Sequence, residues 1–159
     1  MCLMLYLGTQ GDLPLRAGPE LAIEEVETSR AAVHQWFSLP TVRFIGAHTG
    51  CSCGFPHVVM AEEPGVHWDG LFEPGDERNA ELESVRALLA IIREHVTAFG
   101  GVELYPVWDG NEHLTPKGAI EWSLESLDPE MLLLTEQFFH RVIREPRSDP
   151  MGRATGSGK

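Results

Sequence analysis

Residues 41–57 read TVRFIGAHTGCSCGFPH, and how this stretch lies against residues 2–7, CLMLYL, decides the fold. Thr41 to His48 alternates Val42, Phe44 and Gly46 with Arg43, Ile45 and Ala47, the two-residue period of a strand. It runs directly into Thr49-Gly50-Cys51-Ser52-Cys53-Gly54-Phe55, where glycines flank two thiols and let the backbone turn sharply. Cys2 to Leu7 is apolar on both faces and reads as a central strand. If the two strands are antiparallel neighbours, the start of one meets the end of the other, and Cys2 joins Cys51 and Cys53. If they are parallel, Cys2 sits roughly 20 Å away, at the far end of a six-residue strand.

The segment between them favours the parallel arrangement. Thr28 or Ser29 can cap a short helix with an apolar stripe of Ala32, Val33, Trp36 and Phe37, and Leu39-Pro40 ends it. A helical crossover between two strands of one sheet is right-handed and joins parallel neighbours. Leu21 to Glu27 is a weaker strand pattern and is set aside in this reading. The expectation is that Cys2 stays apart from the other two cysteines.

Further along, Asp76 caps the strongest helix, with Leu82, Val85, Leu88, Leu89, Ile92, Val96 and Phe99 recurring at three and four residues and Gly100 ending it. Val102 to Trp108 is a strand in which Pro106 implies an edge or a bulge. Ile120 to Glu125 alternates with one wet face and is expected to pair with it as a hairpin across Asp109-Gly110. Asp128 and Pro129 start a final helix through Met131, Leu134, Phe138 and Val142, which Pro146 stops. The predicted fold is α+β (α/β-like), with a mixed four- to five-stranded sheet and three principal helices. Residues 1–145 form a single globular domain, and 146–159 a disordered C-terminal tail. With Leu21 to Glu27 set aside, the element order resembles that of the thioredoxin fold. The resemblance is in element order alone: that fold carries Cys-x-x-Cys after its first strand, whereas Cys-x-Cys here follows the second.

The chain has 159 residues, 43% of them apolar, which suits one globular core rather than disorder. Its net charge is −12; Arg147, Arg153 and Lys159 against Asp149 make residues 147–159 +2 and leave −14 on the rest. Such a body repels phosphate backbones and anionic lipid, so no nucleic-acid or membrane partner is expected, while a basic protein partner is favoured. No stretch has the length of a membrane span or the basic flank of a signal peptide. With an odd count of three cysteines, this points to the cytoplasm and reduced thiols.

His48-x-x-Cys51-x-Cys53-x-x-x-His57 places two thiols and two imidazoles within ten residues. One reading is a zinc or copper site built from Cys51, Cys53, His48 and His57, since thiolate and imidazole suit those ions. A second is redox or nucleophilic chemistry at Cys51 and Cys53, with His48 raising the thiolate fraction; a disulfide between residues two apart would be strained and easily reduced. In a third, the cysteines are inert, small apolar fillers beneath the turn. Removal of Met1 would also place a terminal amine beside the Cys2 thiol, as in N-terminal nucleophiles.

Two polar groups can accompany this loop. His67 and Asp69 lie between Glu-Pro-Gly turns at 63–65 and 73–75, in an acidic loop (61–76) able to screen the site. Asp109, Glu112 and His113 follow a strand end, and in a mostly parallel sheet they share a carboxyl edge with residues 49–57. Whether the chain is an enzyme is not decided by its sequence. The two functional readings are a thiol site for redox, nucleophilic or metal chemistry, and a non-catalytic acidic module that docks a basic partner.

Overall fold

The computed structural model describes residues 2–58 and 76–145. These residues contain eight strands: β1 (Leu3–Thr9), β2 (Leu21–Glu25), β3 (Thr41–Ala47), β4 (His57–Val58), β5 (Gly101–Trp108), β6 (Gly118–Ser123), β7 (Leu134–Thr135) and β8 (Phe138–Ile143). Among the described residues there is one α-helix, α1 (Asp76–Phe99), and there are three 3-10 helices, at Thr28–Trp36, Ser52–Gly54 and Leu124–Ser126. Six strands form a mixed sheet in the order β2-β3-β1-β5-β8-β6; β4 and β7 make a separate parallel pair. The fold is α+β, as expected, with more strands and fewer principal helices.

The sheet is antiparallel except at β6–β8, and this corrects the thioredoxin-like order. The set-aside segment is a real strand, β2, paired antiparallel with β3, so the helical turn at 28–36 joins β2 to β3 rather than crossing from β1 to β3. The crossover rule therefore has nothing to act on, and β1 lies antiparallel to β3 with Leu5 opposite Ile45 and Thr9 opposite Thr41. The helical turn starts after Glu27, without a side-chain cap from Thr28 or Ser29.

The expected final helix is also corrected. Residues 138–143, FFHRVI, form β8, inserted between β5 and β6, so β5 and β6 do not pair as a hairpin. Met131, Leu134, Phe138 and Val142 fit a helical period, but aromatic and β-branched residues suit a strand better. Gln137, at φ 61°, turns the chain just before it. Pro106 lies in a central strand yet costs no ladder bond. The β5–β8 pairing runs only from Gly101 to Leu104, and past it the Pro106 carbonyl accepts from the Gln137 N–H.

The sheet is covered on both faces. Val85, Leu88, Leu89, Ile92 and Val96 of α1 are fully or almost fully buried against Leu5, Leu7, Ile45, Leu104 and Val142. Each such side chain contributes roughly 1.5–3 kcal/mol by leaving water. Gly100, at φ +94°, ends α1 as its sequence predicts. The opposite face carries Met4, Tyr6, Phe44, Tyr105 and Phe139 beneath Val33, with Trp36 and Phe37 of the 28–37 segment packed against them. Gly8 is required there, because a Cβ would sit 2.4 Å from the Phe37 ring. No helix among the described residues is long and apolar enough to cross a membrane.

Candidate functional site

The antiparallel β1–β3 pair brings the start of β1 to the end of β3. At the last register pair, Leu5 opposite Ile45, the strands part and the turn after β3 takes over the edge of β1. Ser52, fully buried, makes the join: its hydroxyl accepts from the Leu5 N–H at 2.8 Å and donates to the Ile45 carbonyl at 2.6 Å. One residue pair further out, Cys53 Sγ accepts from the Leu3 N–H at 3.1 Å. Side chains of the turn thus stand in for a missing strand. Ser52 was not singled out in the sequence, and its place between two cysteines was the only available signal.

The turn is closed by Gly50 N–H donating to the Ala47 carbonyl and Ala47 N–H to the Cys51 carbonyl. Gly50 has φ +73°, and a Cβ on Gly46 would come within 2.8 Å of the Gly50 carbonyl oxygen, so glycine is needed at both positions. A short 3-10 turn, Ser52–Gly54, then sets both cysteine side chains on one side.

Cys2, Cys51 and Cys53 converge, with their sulfurs all within 4.8 Å of one another, and they can hold a metal ion. The separation of Cys2 expected from parallel strands is thereby corrected. Cys51 and Cys53 sulfurs are 3.1 Å apart, and all three thiols are free. The Cys53 N–H points at Cys51 Sγ at 3.4 Å, while the Cys51 thiol donates to the Leu3 carbonyl at 3.7 Å. Burial pushes the Cys51 thiol up to about 12; the Cys53 N–H opposes this, and the neighbouring Cys53 and Cys2 thiols add to it. Without an ion, Cys51 is a protonated thiol at neutral pH.

The imidazoles turn elsewhere. His48 Nδ1 lies 3.2 Å from Ser84 Oγ, and the Ser84 hydroxyl also accepts from the His48 N–H. His57 Nδ1 lies 3.0 Å from the Phe55 carbonyl, with its ring edge-on to Trp108. Neither belongs to the sulfur group. His67, Asp69 and loop positions 61–75 lie outside the described residues, as does the 146–159 tail.

The loop after β5 reaches the same sheet edge, although the sheet is mostly antiparallel. Both β3 and β5 run opposite to β1, so their ends arrive together, and the Asp109 N–H donates to the Cys2 carbonyl at 2.9 Å. A cleft of about 250 Å³ opens there, with Cys2, Cys51, Met4, Tyr6, Arg30 and Asp109 among its lining residues. Arg30 bonds Asp109 at 2.9 Å and Glu27 at 2.8 Å, holding the Asp109 carboxyl below its usual range. Glu112, buried, accepts from the Tyr6 hydroxyl at 2.9 Å and from the Gly110 N–H at 2.9 Å, whereas His113 is exposed. Burial first, and the Glu112 carboxylate second, raise the Tyr6 phenol far above its ordinary value. Arg30, Tyr6 and Met4 carried no motif; alternation along β1, which puts Cys2, Met4 and Tyr6 on one face, is the signal that connects them.

Comparison with protein families, with curated proteins and with solved structures finds no match to this chain.

Proposed function

We propose that the protein binds one thiophilic metal ion, zinc or copper(I), through Cys2, Cys51 and Cys53 at the mouth of the cleft. The supporting observation is the convergence of three sulfurs from two separate segments within 4.8 Å. Thiolates select these ions over hard cations. With metal–sulfur bonds of about 2.3 Å, a tetrahedral ion holds its sulfurs about 3.8 Å apart, close to the spacing present. The Leu3 and Cys53 N–H groups supply donors to two of the sulfurs, which favours thiolate charge. Three thiolates satisfy a trigonal copper(I); zinc would have its fourth position open to the cleft.

Protein purified without chelators and without oxygen should carry about one equivalent of metal. Cys2→Ser should lose it, while His48→Ala and His57→Ala should keep it. Failure of wild-type protein to retain either ion after titration with zinc and with copper(I) sinks the reading, as does full retention by Cys2→Ser.

A second reading, docking of a basic protein partner, is favoured by Glu24, Glu25, Glu27 and Asp109 lining the same cleft. Charge reversal at Glu24, a cleft residue outside the sulfur group, separates the two: it should weaken a basic partner and leave metal content unchanged.

A further inference from the structure

We propose that Cys51 and Cys53 form a dithiol switch, closed to an intramolecular disulfide by low-molecular-mass disulfides such as oxidised glutathione, and that closure ejects the metal ion. The ejection rests on the metal reading above; the disulfide chemistry does not. Three observations converge on this pair. Its sulfurs stand 3.1 Å apart, between the ~2.05 Å of a disulfide bond and the ~3.8 Å of two thiolates on one tetrahedral ion. The Ser52–Gly54 turn holds the two side chains together, with the Cys53 N–H aimed at Cys51 Sγ at 3.4 Å. Access is graded: Cys53 is exposed and Cys51 half-buried.

This grading sets the order of events. The Cys53 thiolate, accepting the Leu3 N–H, attacks one sulfur of the small disulfide. That S–S bond breaks, one small thiolate leaves, and Cys53 carries a mixed disulfide. Cys51 Sγ, its proton passing to the small thiolate already released, then attacks Cys53 Sγ and displaces the second small thiolate. Two protein thiols are oxidised, one small disulfide is reduced to two thiols, and the two protons leave with them. Two of three metal donors are now consumed, and Cys2 alone does not hold an ion. A bridge between residues two apart is strained, and strained bridges are readily reduced, so the closure reverses when thiols again outnumber disulfides.

The test uses the full chain, zinc-loaded and zinc-free, incubated with oxidised glutathione at neutral pH. Intact mass, a peptide map of residues 44–78 and a zinc-responsive dye are followed together. The expected result is a Cys51–Cys53 bridge that lowers the mass by two hydrogens, with one zinc released per bridge and rebound after dithiothreitol and fresh zinc. Cys2→Ser should close the same bridge at a similar rate although it holds no metal. Cys51→Ser should stop at the mixed disulfide on Cys53. A bridge that uses Cys2, mixed disulfides that persist in the wild type, or a loaded protein that forms the bridge and keeps its zinc overturns the proposal. If the wild type binds no zinc but closes the Cys51–Cys53 bridge, the metal reading has failed and the dithiol chemistry stands.

Discussion

His140 offers a quantitative probe of this fold. It lies in β8, fully buried on the α1 side of the sheet, opposite Leu104 on one neighbour and Ile120 on the other. The Trp122 indole N–H donates to its Nδ1 at 3.0 Å and the Thr135 N–H donates to its Nε2 at 3.1 Å, with the Thr135 carbonyl 3.4 Å from Nε2. Protonation would put a hydrogen on both ring nitrogens, so that Nδ1 faces a group that can only donate. Burial in this setting lowers the ring's ionisation from 6.5 to about 4, with the Thr135 backbone contact opposing it weakly. Between those values the unfolded chain binds the proton and the folded one does not. Stability should be unaffected by this group above about pH 7 and fall as pH drops from 6.5 towards 4, reaching a loss of about 3 kcal/mol at 1.4 kcal/mol per pH unit. Urea unfolding of the wild type and of His140→Gln across this range isolates the effect, since the carboxylates common to both cancel in the difference. That difference should shift by about 3 kcal/mol in favour of the variant as pH falls. A constant difference, or a His140 ring whose NMR signals titrate near 6.5, would refute the burial argument.

Two further outcomes follow from the site. Ser52→Ala leaves the Leu5 N–H and the Ile45 carbonyl unpaired in the interior, and should cost about 1–3 kcal/mol in urea unfolding. It should also weaken zinc binding with all three thiols intact; an unchanged unfolding midpoint would show that the hydroxyl does not tie β1 to the turn. The second outcome concerns the two tyrosines. The Tyr6 phenol is raised by burial and by Glu112, and Tyr105 is raised to about 12 by burial with Glu136 and Glu112 adding to it. Native protein should therefore show almost no phenolate absorbance at about pH 10.5, where an unperturbed tyrosine is mostly ionised; absorbance for one tyrosine there would contradict the burial of Tyr105, and for both the Tyr6–Glu112 contact as well.

Periodicity identified much of the fold. The 76–99 helix, with Gly100 as its stop, and the strands at 2–7, 41–48 and 102–108 follow from spacing alone. The failures came where two periods fit one segment, or where pairing rather than propensity chose the outcome. Met131, Leu134, Phe138 and Val142 satisfy a helix, but β8 exists because β5 and β6 each offer it an edge, and no local pattern shows that. Leu21–Glu25 is short and half acidic, and only its ladder to β3 and the bridge from Arg16 to Ile23 hold it as a strand. Omitting it turned an antiparallel β2–β3 connection into an apparent crossover, and that one step moved Cys2 to the wrong end of the sheet. In the candidate site, Cys51 and Cys53 were legible from their spacing. Glu112 was legible as part of the polar cluster after β5, whereas Arg30 and Tyr6 were harder to see, because their contacts to Asp109 and Glu112 join residues more than seventy positions apart.

The sulfur group sits where the β1–β3 ladder stops, and this ties its chemistry to the stability of the fold. Among the described residues, no strand pairs with the edge of β1 on that side beyond Leu5; Ser52 satisfies one of its backbone groups and Cys53 Sγ another. A sulfur is a weak acceptor as a thiol and a much better one as a thiolate, so the Leu3 N–H gains most when Cys53 is ionised or metal-bound. The first residues of β1, otherwise held on that side only by the turn, would then be fastened to residues 51–53 through the ion. Metal binding and closure of the sheet edge would therefore reinforce each other, because binding to the folded state alone adds to its stability. Oxidation of Cys51 and Cys53 would act in the opposite sense: it would remove the ion and return Leu3 to a neutral sulfur, loosening a junction that the Ser52 and Cys53 side chains hold together.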